Sequence, residues 1–190
     1  AILGRKPRRI TVSTIEHAAV LDTAAASGAR VDLLGVDGQG LVAADTAIPA
    51  GTDLVAVMQV NNEIGTIQPV AELARAAHHA GALFLCDAVQ GAGKLAPPEG
   101  ADLIALSAHK LYGPKGIGAL WIRDGVKLAP LIHGGGQEGG LRSGTLSPAL
   151  CAGFGAAASL ALARMDEDAA HVAALRNSAR AVFAGWQLNG

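Results

Sequence analysis

The hydrophobic and polar positions alternate between two patterns along the chain. Short apolar runs of strand length are bounded by Gly, Pro or Asp, and longer stretches repeat their apolar residues at helical spacing. "RRITVS" (residues 8–13) carries β-branched residues in alternation and predicts a strand. "TIEHAAVLDTAAASG" (14–28) predicts a helix, with Ser13 or Thr14 as its cap and Gly28 as its stop. "RVDLLGV" (30–36) predicts a strand closed by the turn "DGQG". "TDLVAVMQV" (52–60) is an almost unbroken apolar run, the mark of a strand covered on both faces. "PVAELARAAHHAG" (69–81) predicts a helix with proline in its first turn and Gly81 at its end.

Three further strands are expected in "ALFLCDA", "ADLIALSA" and "IGALWIR". The Ala-rich last third predicts two helices, over 146–163 and 167–184. "ILGRK" at the start shows neither signature, and "LVAADTAIP" leaves room for about two helical turns at ~3.6 residues each. Strands that alternate with helices and are apolar throughout imply an α/β fold with a mainly parallel central sheet flanked by helices.

In such sheets ligands bind beyond the carboxyl ends of the strands, and polar residues collect there in this chain. "VMQV" runs into Asn61, Asn62 and Glu63. "LFLC" runs into Asp87 and Gln90, and "LIAL" into Ser107, His109 and Lys110. His17 lies in the first turn of the helix after "ITVS". Each has an ordinary alternative: Asp87 as a helix cap, Asn61-Asn62 as a turn, Lys110 and His17 as solvated surface. Their number at one rim is what favours a site. "LSAHKLYGPKGIG" is no nucleotide loop, because a phosphate loop places its glycines before the lysine and opens a helix after it. "HGGGQEGG" (133–140) offers anion-binding backbone before a helix but is a weak motif alone.

Composition narrows the classes. The chain has 190 residues, 51% hydrophobic but only 3% aromatic, so its core is built from Ala, Val, Leu and Ile. A net charge of −1 gives no support for a nucleic-acid or anionic-membrane partner, and the basic "GRKPRR" is expected to be a solvated segment. The least charged run, 145–163, is long enough to raise the membrane question; its Ala, Gly, Ser and Pro content predicts a buried soluble helix instead. Cys86 and Cys151 form no CxxC pair, so neither a disulfide framework nor a metal site is expected, and a reducing, cytoplasmic setting fits best. No secretory leader pattern is visible. The chain starts at Ala1 and ends on the turn signal "GWQLNG", as a piece of a longer protein would.

Five segments in order, "TIEHAAVLDTA", "VNNEIGTIQPV", "CDAVQGAGKL", "SAHKLYGPKGIGALWIR" and "HGGGQEGGLRSGTLSPA", resemble the class V aminotransferase group of fold-type I pyridoxal-phosphate enzymes, most closely the cysteine desulfurases. The resemblance covers nearly the whole chain. It implies a pyridoxal 5'-phosphate cofactor held covalently by Lys110, with Asp87 facing the ring nitrogen and keeping it protonated. It also implies that His17 stacks on the ring and shuttles protons, that Gln90 and Asn62 lie at the phenolic oxygen, and that Ser107 and His109 hold the phosphate. Thr145 would reach the cofactor of a neighbouring subunit in a homodimer.

The implied reaction takes sulfur from L-cysteine: a thiolate attacks the substrate sulfur, leaving an enzyme persulfide for a sulfur-acceptor protein and alanine as product. The family's thiolate and the arginine that clasps the substrate carboxylate lie downstream of the region covered here, and a phosphate loop lies upstream; neither Cys86 nor Cys151 matches the thiolate. The resemblance thus implies a partial cofactor-binding large domain over 1–155, and over 156–190 helices leading toward a small domain. Another class V enzyme (an aminotransferase or a selenocysteine lyase) and a non-catalytic remnant are the alternatives.

Overall fold

The computed structural model describes residues 1–187. Its centre is a six-stranded sheet of β1 (Arg9–Ser13), β2 (Arg30–Leu34), β3 (Leu54–Ala56), β4 (Leu83–Asp87), β5 (Leu103–Ser107) and β6 (Gly118–Ile122), in the order β2-β1-β3-β4-β5-β6. The first five strands are parallel; β6 pairs antiparallel with β5, from Leu103 opposite Ile122 to Ser107 opposite Gly118. The tight return through "YGPKG" explains the reversal, since a parallel strand needs a crossover of a dozen or more residues.

Among the described residues four α-helices accompany the sheet: α1 (Ile2–Arg5), α2 (Ala18–Ala26), α3 (Val70–His79) and α4 (Pro148–Val182). Alternation along the strands gives the sheet two apolar faces. Val55, Val57, Phe84 and Cys86 pack with Val70, Leu73, Ala74 and Ala77 of α3. Ile10, Val12, Leu54, Ala56, Leu85 and Leu103 form the opposite core with Ile2, Val20 and Ala24 from α1 and α2. The expectation of a doubly covered β3 is met, as Leu54, Val55 and Ala56 are all buried.

Four details depart from the sequence reading. First, "ILGRK" forms the one-turn helix α1. It is held because Ile2 is buried in the second core and Ala129 N–H donates to the Gly4 carbonyl at 2.7 Å. Second, α2 starts later than expected and is capped by His17 rather than Ser13 or Thr14. Ser13 closes β1, and Thr14 N–H donates to the Leu34 carbonyl at 2.9 Å, so neither is free to cap. Third, the last third is one helix of 35 residues. No Gly or Pro breaks it at 163–167, and Arg164 spans the expected gap, 3.5 Å from Glu167 and 3.2 Å from Asp168. Fourth, α4 is not the buried helix expected over 145–163, since none of its residues is fully buried in this chain.

By length and composition α4 would suffice to cross a membrane. Its first half instead lies close on the sheet domain. A Cβ built on Gly113 would lie 3.1 Å from Ala157 Cβ, one on Gly153 3.1 Å from Pro114, and one on Gly93 2.8 Å from Ala161 Cβ. Of the closing turn signal, 188–190 lies outside the described residues. The basic start is only partly a free segment: Arg8 is exposed, but Arg9 is paired with Asp32 at 2.5 Å.

One buried carboxylate ties four elements together. Asp102, fully buried just before β5, accepts from Phe84 N–H of β4 at 2.6 Å and pairs with His78 of α3 at 2.9 Å. Arg123, directly after β6, lies 2.5 Å from its other oxygen. Asp102→Ala would leave the Phe84 N–H without an acceptor, while the half-exposed His78 and Arg123 rehydrate. We expect a loss of about 2–3 kcal/mol in urea unfolding, and a smaller loss for Asp102→Asn, which keeps an acceptor oxygen.

Candidate active site

Parallel pairing from β2 to β5 puts the carboxyl ends of these strands at one rim. The strand order reverses direction between β1 and β3, the kind of position at which open α/β sheets form a crevice. The segments after β1, β3, β4 and β5 therefore supply the candidate site.

Asp87 is the last residue of β4. Its carbonyl accepts from Gln59 N–H at 2.9 Å, and the next peptide, Ala88 N–H, donates to Ala105 of β5 at 3.1 Å, so its backbone is fixed from both sides. Its Oδ1 accepts from Val89 N–H at 3.0 Å. Burial raises the Asp87 pKa above the usual carboxylate value, while the Val89 N–H and the nearby His17 imidazole pull it back. The side chain is thus half-buried, with one oxygen on the Val89 N–H as a turn cap and the other without a hydrogen-bond partner among the described residues. Gln90 follows in the turn after β4, half-buried.

Two registers along β5 lie beyond the Asp87–Ala105 pair, and there Ser107 ends the strand. A short 3₁₀ turn, Ala108–Leu111, follows at once and carries His109 and Lys110. Ser107 Oγ and His109 Nδ1 are 2.9 Å apart, a hydroxyl and an imidazole presented together. The turn is closed by Gly113 N–H to the Ala108 carbonyl at 2.9 Å, with Tyr112 in the left-handed region at φ 62°. Gly116, at φ +89°, completes the return into β6. The lysine is thereby held at a strand end by a turn of fixed shape.

His17 stands exposed at the head of α2, its Nδ1 accepting from Ala19 N–H at 3.1 Å, which leaves Nε2 available. After β3, Asn61 is the buried member of its pair. Its Nδ2 donates to the Ile15 carbonyl at 2.9 Å, and its Oδ1 accepts from Glu63 and Ile64 N–H. Asn62 is exposed and donates to Glu63 at 3.0 Å. The turn reading thus holds for Asn61, and Asn62 stands at the rim. Thr145 is exposed in the loop before α4, along a groove also lined by Leu106, Gly118, Leu120 and Leu150. In the glycine loop, Gly136 N–H donates to the buried Ser143 at 3.2 Å. Cys86 is buried with its thiol pKa raised by burial, and Cys151 is half-buried in α4.

Two residues were not foreseen from the sequence. Lys94 donates from Nζ to the Lys110 carbonyl at 3.1 Å; burial and the charge of Lys110 lower its pKa. Glu16 is 5% exposed, and its Oε1 accepts from Ser13 Oγ at 2.5 Å and from Met58 N–H at 2.8 Å. The visible signal was a carboxylate immediately before His17, between a strand and a helix start. Burial first, and the charge of Asp87 in addition, raise its pKa to about 7, against the two hydrogen bonds.

The family model for aminotransferase class-V matches residues 4–186. The mitochondrial cysteine desulfurase of Saccharomyces cerevisiae is 46% identical over 176 residues, which cover 87% of this chain and 35% of that protein. A solved NifS-like protein superposes with a TM-score of 0.85 at 40% identity, over 90% of this chain and 50% of that one. A structure of SspA in complex with cysteine gives a TM-score of 0.74 at 41% identity, over 80% and 47%. The chain spans between 35% and 47% of the length of the curated relatives it matches.

The Glu16 environment gives a pH dependence with a definite sign. Its folded pKa of about 7 lies above the ordinary 4.5, so the folded chain binds this proton more tightly than the unfolded chain. Below 4.5 both states are protonated and Glu16 makes no difference. As pH rises from 4.5 through 7 the fold loses stability, by about 3 kcal/mol at most. Urea midpoints measured across this range should fall in the wild type. They should fall less in Glu16→Gln, which keeps an acceptor for Ser13 and Met58.

Proposed function

This chain belongs to the aminotransferase class-V family, and from that premise we propose that its protein is a pyridoxal-phosphate-dependent cysteine desulfurase. The proposed reaction removes sulfur from L-cysteine to give alanine and an enzyme persulfide. The observation that carries this reading is the placement of Asp87 and Lys110 at and just beyond the carboxyl ends of neighbouring strands, with Ser107 and His109 in the same short segment as the lysine. The names of the relatives, cysteine desulfurases at 41–46% identity, favour the substrate.

The donor set fits the cofactor that this family uses. Among the described residues, Asp87 has a second carboxylate oxygen without a hydrogen-bond partner, a half-buried anion suited to a cationic ring nitrogen. The pair of Ser107 and His109 offers polar hydrogens to a phosphate, and Lys110 offers a primary amine. Pyridoxal phosphate, when bound, supplies an electron-accepting ring that stabilises negative charge developing on the substrate.

The chain's own residues then divide the work. The Lys110 amine is the point of covalent attachment, and Lys94, from the loop after β4, steadies the turn by donating to the Lys110 carbonyl. The Asp87 carboxylate holds the proton of the ring nitrogen in place by charge. His17, with Nε2 free, covers the ring face and exchanges protons near the substrate. Gln90 and Asn62 are assigned to the phenolic oxygen.

Thr145, exposed beside the groove along β6, is assigned to the cofactor of a partner subunit in a homodimer. A sulfur-acceptor protein completes the reaction, and α4 leads from the sheet domain toward a smaller second domain. The two free cysteines suit a reducing, cytoplasmic setting.

The test is spectroscopic. Pyridoxal phosphate added to the purified protein should produce a visible absorbance band, and borohydride should fix the label on Lys110 in peptide mapping. Lys110→Arg should abolish fixation. Asp87→Ala should lower desulfurase turnover by on the order of 10²-fold or more. A folded protein without a band, or near-normal turnover in Asp87→Ala, counts against the reading.

A further inference from the structure

Glu16 has more structure around it than a backbone cap requires. Beyond the last β1–β3 pair, Val12 with Ala56, its Oε1 replaces the missing strand carbonyl for Met58 N–H. The next peptide along, Gln59 N–H, points the other way and binds the carbonyl of Asp87. Glu16 and Asp87 therefore flank the end of β3 on its two sides. A cap needs only one neutral acceptor, which a glutamine would supply without burying a charge. Glu16 instead places a second oxygen, Oε2, in the interior with no partner among the described residues. An unpaired buried anion is costly, the more so with a second carboxylate across the strand, and a proton on one of the two relieves it.

We infer that Glu16 is a positioning residue for Asp87: it carries the proton of a two-carboxyl pair, so that Asp87 keeps the charge at the strand end. The assignment of the proton follows from surroundings. Asp87 is the less buried of the two, has a hydrogen bond from Val89 N–H, and lies near the His17 imidazole, which favours its charged form. Glu16 makes no ion pair among the described residues. The titratable groups around it are Asp87 and Cys86 of β4 and the adjoining His17; from β1 and β3 it meets only the Ser13 hydroxyl and the Met58 N–H. The use of the pair rests on the reading of Asp87 as the carboxylate at the cofactor ring. A cation bound at Asp87 would offset the like-charge repulsion and ease the Glu16 proton off, so that ligand charge and Glu16 protonation are linked.

The full chain labelled with ¹³C at the glutamate carboxyl, free of cofactor, tests the pair directly. The Glu16 resonance, identified by its loss in Glu16→Gln, should titrate near neutral pH. In Asp87→Asn its midpoint should fall by about one pH unit. An unchanged midpoint overturns the inference, and this arm is decisive even where Glu16→Gln serves only for assignment.

The second readout is the pH titration of the visible band after addition of pyridoxal phosphate. Its midpoint should move in Glu16→Gln, with the band itself retained; identical titrations in the two proteins overturn the positioning role. Coupled carboxyls in a protein that takes up no cofactor support the pair and overturn the reading of function on which its use rests.

Discussion

Five strands running in one direction are the constraint on which the rest depends. Parallel pairing from β2 to β5 leaves no freedom in where the loops after β1, β3, β4 and β5 begin: all four leave from the same rim. Burial on both faces holds that register, since a one-residue slip of β3 or β4 would exchange the residues packed against α3 for those packed against α1 and α2. Asp87 and Ser107 end adjacent strands because of the ladder, and Lys110 follows in the turn after Ser107, more than twenty residues from Asp87 in the chain.

Much of this was legible in the sequence, for identifiable reasons. All six strands were visible because apolar runs bounded by Gly, Pro and Asp admit few other readings. Asp87 and Lys110 stood out because a polar residue directly after such a run has to sit at a sheet edge. The antiparallel direction of β6 was not read, because "IGALWIR" is as apolar as the parallel strands and only the brevity of the return reveals it. The two helices expected in the last third merged into one, because the charged stretch around Arg164 to Asp168 is a good helix former that looked like a boundary.

The site residues divide in the same way. Glu16 was missed because in "TIEHAAVLD" a carboxylate suits the outer face of a helix. The helix in fact starts two residues later, which turns Glu16 inward onto Met58. Asn61 and Asn62 illustrate the limit of residue type as a guide. They are chemically identical, yet one is spent on the Ile15 carbonyl and its own turn while the other stands at the rim. Lys94 is similar: its partner is a main-chain carbonyl sixteen residues away, and no spacing rule announces such a contact.

The close seating of α4 has a mechanical consequence. At ~1.5 Å per residue its 35 residues make a rod about 50 Å long, and only the first half rests on the sheet domain, at Gly93, Gly113 and Pro114. Where glycine meets alanine there is no side-chain layer to yield. The helix is therefore a lever with a hard fulcrum, and the fulcrum is the turn that carries Lys110. Force applied at the far end of α4 would reach that turn as displacement rather than being absorbed on the way.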